Sequence, residues 1–279
     1  MRLALISDTH LAPVAAAFNA NAEAAIDWIE TWAPDAVIHL GDVTADGAED
    51  PDQFEHARVL LSRLSAPLHC LPGNHDVGDC PPANGTKEPP FSSRRLAQFR
   101  AALGADQWWF ARDGWTLIGL NSQLFASGDP EDALQAEWLE NELAAVRGPV
   151  ALFLHKPLVL ETHEDTPDHP RFAPLEARRR LARLLADRPA LVVSGHVHQH
   201  RRRRIGVADH LWAPSTAFLL PDSVQPRLGD KQVGLLTLEL SPDGGWRAEM
   251  VSPAAMVSHD VLDHPEVYPQ VLEMKRSAM

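Results

Sequence analysis

Five short polar motifs hold the residues able to do chemistry: Asp8-Thr9-His10, Gly41-Asp42, Gly73-Asn74-His75-Asp76, His155-Lys156-Pro157 and Gly195-His196-Val197-His198. Carboxylates, neutral imidazoles and an amide oxygen suit paired Mn, Fe or Zn ions, whereas thiolates would have pointed to zinc alone or to iron–sulfur clusters. The i, i+2 spacing of Asp8 with His10, and of His196 with His198, lets both members of a pair reach one centre from a loop or a twisting strand end. A carboxylate such as Asp42 can bridge two ions. Taken singly, each motif also reads as a turn former or a hydrogen-bonded structural residue. Their placement unites them, because each directly follows a β-type run and parallel strands present their C-terminal ends at one edge, where α/β folds put ligand sites.

The elements that must position these motifs alternate between short apolar runs and longer helical stretches. Strands are predicted at 2–7, 36–40, 67–71, 115–120, 150–154 and 190–194, with helices at 19–32, 52–64, 132–146 and 175–186. In the first helix Ala22, Ala25, Ile26 and Ile29 recur at three- and four-residue spacing. Beyond residue 200 the pattern is β only, at 201–205, 210–213, 234–240 and 246–251. The loops 77–90 and 161–174 are long and rich in Pro, Gly and polar residues, which marks them as functional or mobile. The organisation read from this is a domain over 1–255 followed by a C-terminal appendage over 256–279.

Composition narrows the classes. The chain has 279 residues, 45% of them hydrophobic, which supports a buried core and excludes disorder and fibres. No apolar run reaches the roughly 18 residues of a membrane span, and the first stretch is cut by Asp8 before a signal-peptide core could form. A cytoplasmic location without membrane contact is the expectation. Two cysteines, Cys70 and Cys80, are too few for a disulfide framework. A net charge of −13 repels polyphosphate backbones, so no long nucleic-acid partner is expected.

Over residues 3–215 the motifs and their order resemble the calcineurin-like metallophosphoesterase superfamily, whose pattern is Asp-x-His, Gly-Asp, Gly-Asn-His-Asp/Glu, a lone His and Gly-His-x-His. The resemblance implies a four-layer α-β-β-α sandwich of two mixed β-sheets flanked by helices. It implies two divalent cofactor ions, Mn²⁺ or Fe²⁺ ahead of Zn²⁺. One would be held by Asp8, His10, Asp42 and His198 and the other by Asp42, Asn74, His155 and His196. His75 and Asn74 would contact the phosphate, with His75 assisting the leaving group and Asp76 steadying it. Attack by a hydroxide shared between the ions is the implied reaction.

Segments 120–123, 195–199 and 214–216, and the helix carrying Gln135, Trp138 and Leu139, are most similar to the class III cyclic-nucleotide phosphodiesterases. A small phosphodiester, a 3′,5′-cyclic nucleotide, is therefore the implied substrate. A phosphomonoester, a glycerophosphodiester or a nucleotide pyrophosphate on the same core is the alternative, and a metal-free protein-binding scaffold is a third. That subgroup usually has a second histidine where this chain has Lys156. The segment 41–47 lacks the Gly-Asp-x-x-Asp-Arg-Gly pattern of the superfamily's protein phosphatases, which argues against protein substrates.

Other residues have plainer readings. Arg201 to Arg204 would form a charged edge strand with alternate residues on opposite faces. Arg178, Arg179, Arg180 and Arg183 would form a solvated helix face. Trp108 and Trp109 would pack at a core or sheet edge. Lys156 reads equally as a phosphate contact or a surface lysine, His163 and His169 as parts of a polar loop, and His39 as a packed histidine. The segment 266–274 reads as a docking helix or a dimer contact, compatible with a homo-oligomer.

Overall fold

The computed structural model describes residues 1–81, 88–164 and 166–278, without the side chains of the last two, so part of the loop 77–90 lies outside the described residues. Alternation of side chains along the first strand, β1 (Arg2–Ile6), already dictates a layered molecule. Leu3 and Leu5 point to one face and Ala4 and Ile6 to the other, and all four are buried, so both faces of the sheet must be covered.

In chain order the elements are β1, α1 (Ala16–Trp32), β2 (Ala36–His39), α2 (Asp52–Leu61), β3 (Leu68–Cys70), the one-turn α3 (Asn74–Val77), α4 (Ser93–Leu103), β4 (Trp108–Arg112), β5 (Trp115–Gly119), α5 (Pro130–Ala145), β6 (Val150–Leu154), α6 (Leu175–Leu185), β7 (Ala190–Ser194), β8 (Arg201–Ile205), β9 (Ala208–Trp212), β10 (Leu235–Leu240), β11 (Trp246–Val251) and α7 (Val271–Ala278). They form a five-stranded sheet in the order β11-β10-β1-β2-β3 and a six-stranded sheet in the order β4-β5-β6-β7-β9-β8. Both sheets are mixed. β1, β2 and β3 run parallel in the first, and β5, β6, β7 and β9 run parallel in the second.

The sheets pack face to face through Leu3, Leu5, Ile38 and Leu236 from one and Leu117, Phe153, Leu191 and Leu211 from the other. On the outer face of the first sheet, Ala4, Ile6 and Val37 meet Ile26 and Ile29 of α1 and Phe54 of α2. On the outer face of the second, Ile118, Leu152 and Val192 meet Leu139 of α5 and Leu181 of α6. The expected four-layer sandwich is the observed fold.

Besides the one-turn α3, the elements α4 and β4 escape the sequence reading. In α4 only Leu96 and Phe99 are buried, too few for an apolar stripe. β4 is a sheet edge that contains both tryptophans, with Trp109 exposed. Its signal was Asp113-Gly114, a two-residue hairpin turn with φ of 52° and 80°, which Arg112 and Trp115 close as paired residues. Trp108 packs against His69, Phe110 and Phe153, as read from the sequence.

β8 is the opposite edge, and its alternation is visible in its ion pairs: Arg201 and Arg203 share Glu161, while Arg202 and Arg204 share Asp209. Arg178 departs from the solvated face expected of it. It is buried, and its guanidinium donates to the carbonyls of His163 and Thr166, fixing the loop between β6 and α6.

The segment read as an appendage folds back onto the domain. Asn21 of α1 donates to the carbonyls of Ala217 and Val257 and accepts from the Val257 amide. Val261, Tyr268 and Val271 then join Phe18, Ala45 and Phe218 in one buried cluster.

His210 of β9 is buried with its Nε2 unpartnered and its ring 5.8 Å from that of His163. Burial, followed by the neighbouring His163, pushes its pKa from 6.5 down to about 3. Below pH 6.5 the unfolded chain takes up a proton that the folded chain refuses, so this contribution to stability is intact above pH 6.5 and is lost as pH falls. The slope is about 1.4 kcal/mol per pH unit. Urea unfolding at pH 7.5 and 5.5 should therefore show the wild type losing about 1.4 kcal/mol more than His210→Leu. Equal losses would mean that His210 is charged in the fold.

Candidate metal centre

All five motifs leave the C-terminal ends of parallel strands. Asp8 and His10 follow β1, Asp42 follows β2, Asn74 and His75 open α3 after β3, His155 follows β6, and His196 and His198 follow β7. Backbone hydrogen bonds from Asp8 to Gly41, His10 to Asp42 and Gly195 to His155 extend the ladders into the loops. Contacts across the two sheets close the floor: His155 Nδ1 lies 2.9 Å from the Leu40 carbonyl, and the His196 amide donates to Asp8 at 3.0 Å.

The backbone is unusual here. Among the described residues eight other than glycine have φ in the left-handed region, and five of them are Asp8, His10, Asp42, His196 and His198. Asp and His tolerate this region better than most residues, yet each such position costs on the order of 1 kcal/mol or more.

The side chains converge in three groups joined through His10 and Asp42. Asp8, His10 and His198 form one, Asp42, His155 and His196 another, and His10, Asp42 and His75 a third, each with ligand atoms within 4.8 Å of one another. His10 Nε2 is 3.3 Å from His198 Nε2, which is 3.3 Å from Asp8 Oδ1. His155 Nε2 is 3.0 Å from His196 Nδ1, 3.2 Å from Asn74 Oδ1 and 3.3 Å from Asp42 Oδ2.

Outer partners fix the imidazoles. The outward nitrogens of His155, His196 and His198 lie against the carbonyls of Leu40, Pro170 and Phe218, which can only accept, so each outward nitrogen bears the proton. The inward nitrogens then present lone pairs to one another and to carboxylates. Such a donor set lacks only a cation, and it fits a dimetal site.

The electrostatics agree. Burial and the neighbouring His155 hold His196 well below the ordinary histidine range, and burial and His75 do the same to His10. His155 is the exception. Burial opposes its charge, but Asp42 outweighs burial and raises it to about 9. Burial likewise opposes the charge of Asp42, which His155 and His75 nonetheless hold well below the carboxylate range.

His75 stands beside this floor, partly exposed to a cavity. Its Nδ1 donates to the Ala45 carbonyl at 2.8 Å, its amide donates to Asp42 Oδ1 at 2.9 Å, and Nε2 faces Glu88 at 3.4 Å. Burial lowers its pKa, but Asp42 and Glu88 overcome this and raise it.

Asp76, expected to steady His75, reaches it through its charge, which favours the protonated ring, and makes its hydrogen bonds elsewhere. The Asp76 carboxylate accepts from the amides of Val43, Thr44 and Gly73 and from the Thr44 hydroxyl, so it ties the β2 and β3 loops together. Lys156 is not a surface residue. It is fully buried, with Nζ 2.5 Å from Asp79 Oδ1. His39 is packed as expected, accepting from the Gly41 amide at Nδ1 and meeting the Thr9 hydroxyl at Nε2.

The site floors a cavity of about 380 Å³. Its walls include His169 and Arg171 from the loop 161–174, Phe218, and Val261, Tyr268 and Met274 from the C-terminal segment. None of the C-terminal wall was anticipated from the sequence, where an isolated tyrosine carries no motif.

Comparison with known proteins accords with this geometry. The family model described as calcineurin-like phosphoesterase matches residues 1–200. A probable cyclic nucleotide phosphodiesterase of Synechococcus sp. is 29% identical over 90% of this chain and 91% of its own length. A 3′,5′-cyclic-nucleotide phosphodiesterase of Nostoc sp. is 27% identical over 77% of this chain and 76% of its own. A dimetal phosphatase from Danio rerio has the same fold, with a TM-score of 0.60 at 15% identity over 86% of this chain and 93% of that one.

Gly195 tests how tightly the floor is built. A Cβ there would overlap Ser7 Oγ and come within 2.8 Å of Asp8 Oδ2. Gly195→Ala should cost about 1–3 kcal/mol of stability and lower metal content, read by thermal melting and by metal analysis after reconstitution. Unchanged values would mean that the floor is loose.

Proposed function

Because this chain belongs to the calcineurin-like phosphoesterase family, we propose that it is a dimetal phosphodiesterase hydrolysing a small phosphodiester, with a 3′,5′-cyclic nucleotide as the substrate. The observation that carries this reading is the pair of adjoining carboxylate and imidazole clusters, Asp8–His10–His198 and Asp42–His155–His196, linked through the His10–Asp42–His75 group on the floor of one cavity. Asp8, His10, Asp42 and His198 would hold one ion, and Asp42, Asn74, His155 and His196 the other. Bound metals supply Lewis-acid stabilisation of the phosphoryl charge and an acidified water.

The chain's own residues do the rest. The Ala45 carbonyl fixes the proton on His75 Nδ1 and leaves Nε2 facing the cavity, and the acids around it favour its protonated form. That form can give a proton to the departing alkoxide, a role worth about 10²–10⁴ in rate. Asn74 lines the cavity beside His75 and would contact the phosphate.

Size and charge support a small substrate. About 380 Å³ lies within the range of small-molecule sites. Arg171 is the only lysine or arginine among the described residues of the cavity wall, where a long polyanion would need a basic track. The curated relatives named as cyclic nucleotide phosphodiesterases favour that substrate within the class.

Protein reconstituted with Mn²⁺ or with Fe²⁺ should hydrolyse cyclic AMP and bis-p-nitrophenyl phosphate well and p-nitrophenyl phosphate poorly. The reverse order would make it a phosphomonoesterase. His75→Ala should keep its metal content and lose about 10²–10⁴ of turnover, and an unimpaired rate would remove His75 from the mechanism.

A further inference from the structure

Three of the four imidazoles on the floor are oriented by backbone carbonyls of the loops around them, but His10 is not. Its Nδ1 meets the hydroxyl of Tyr268 at 2.7 Å, across 258 residues of chain. Tyr268 is the only tyrosine in the protein, it is buried, and its ring packs against His10, His75 and Phe218. The same hydroxyl lies 3.4 Å from the Ala45 carbonyl, which also receives Nδ1–H of His75. The hydroxyl proton can therefore point to Ala45, leaving the phenolic oxygen free to accept from His10.

We propose that Tyr268 is a positioning residue for the metal centre: it accepts Nδ1–H of His10 and so fixes the tautomer that turns Nε2 toward the ion shared with Asp8 and His198. The inference rests on the dimetal reading of the site. Without the hydroxyl, Nδ1–H of His10 would be buried with no acceptor, and the alternative tautomer would place a proton where the ion must sit. The C-terminal segment is then part of the centre. Its docking through Asn21, Phe18 and Val261 delivers one hydroxyl to a ligand and, through Ala45, to the carbonyl that orients His75.

Tyr268→Phe keeps the ring and removes only the hydroxyl. Metal-free wild type, Tyr268→Phe and Phe18→Leu, the last loosening the same apolar cluster away from the hydroxyl, would be titrated with Mn²⁺ by equilibrium dialysis without substrate. Thermal melting of each metal-free protein would accompany the titrations. The expected result is two ions bound by the wild type, with one of the two weakened about 10- to 100-fold in Tyr268→Phe and the other unchanged. The metal-free melting temperature of Tyr268→Phe should fall no further than that of Phe18→Leu, and Phe18→Leu should retain both affinities. Wild-type affinity for both ions in Tyr268→Phe would overturn the role. Equal weakening of one ion by Phe18→Leu would also overturn it, by assigning the effect to packing. A wild type that binds no Mn²⁺ would overturn the dimetal reading itself.

Discussion

Four imidazoles whose inward nitrogens face each other, and face Asp8 and Asp42, can share one buried floor only if something positive sits among them. The outer carbonyls make this unavoidable. By taking the protons of His155, His196 and His198 outward, they forbid the rings from satisfying one another as donor and acceptor. Asp42, 3.3 Å from His155, eases the conflict in part by raising the pKa of that ring to about 9. Two divalent ions would relieve it fully, and would locally reverse the repulsion that a net charge of −13 presents to a phosphate.

The fold is arranged around bringing these groups together from two sheets. β1 and β2 contribute from one and β6 and β7 from the other, and the crossing bonds from His155 to Leu40 and from His196 to Asp8 hold the two rims in register. Asp76 does the corresponding work within one sheet. By accepting from Val43, Thr44 and Gly73 it fixes the loops that carry Asp42 and His75, and the His75 amide then reaches Asp42 directly. A residue that reads as catalytic from its neighbours in sequence thus acts on the backbone.

This contrast explains what was legible in the sequence. The ligand motifs could be read because each is contiguous, polar and attached to an apolar strand, so residue type, spacing and strand direction converge on one edge. The helices α1 and α6 could be placed because their apolar residues recur with helical period, whereas α4 buries too few residues to show one. Lys156 and Arg178 were misread because a cation looks solvated until its partners are known, and those partners come from distant loops: Asp79 for one, the carbonyls of His163 and Thr166 for the other. Tyr268 was invisible for the same reason. A lone aromatic in a tail of mixed composition carries no pattern, and only the return of the chain onto α1 reveals what it touches.

The left-handed backbone at Asp8, His10, Asp42, His196 and His198 follows from the same demand. Asp8 and His10 are brought to one group and His196 and His198 to two different ones, and the chain makes each placement by leaving the β region at those residues. Five such positions, at on the order of 1 kcal/mol or more each, are a substantial fraction of the roughly 5–15 kcal/mol by which a domain is stable. The strain is tolerated because the ladders extend into the turns, with Asp8 bonded to Gly41 and His10 to Asp42. Ions that bind only the folded chain would offset more of it, by about 4 kcal/mol at a thousand times their dissociation constant. The geometry that makes the floor unfavourable when empty is therefore the geometry that couples metal binding to the stability of the whole sandwich.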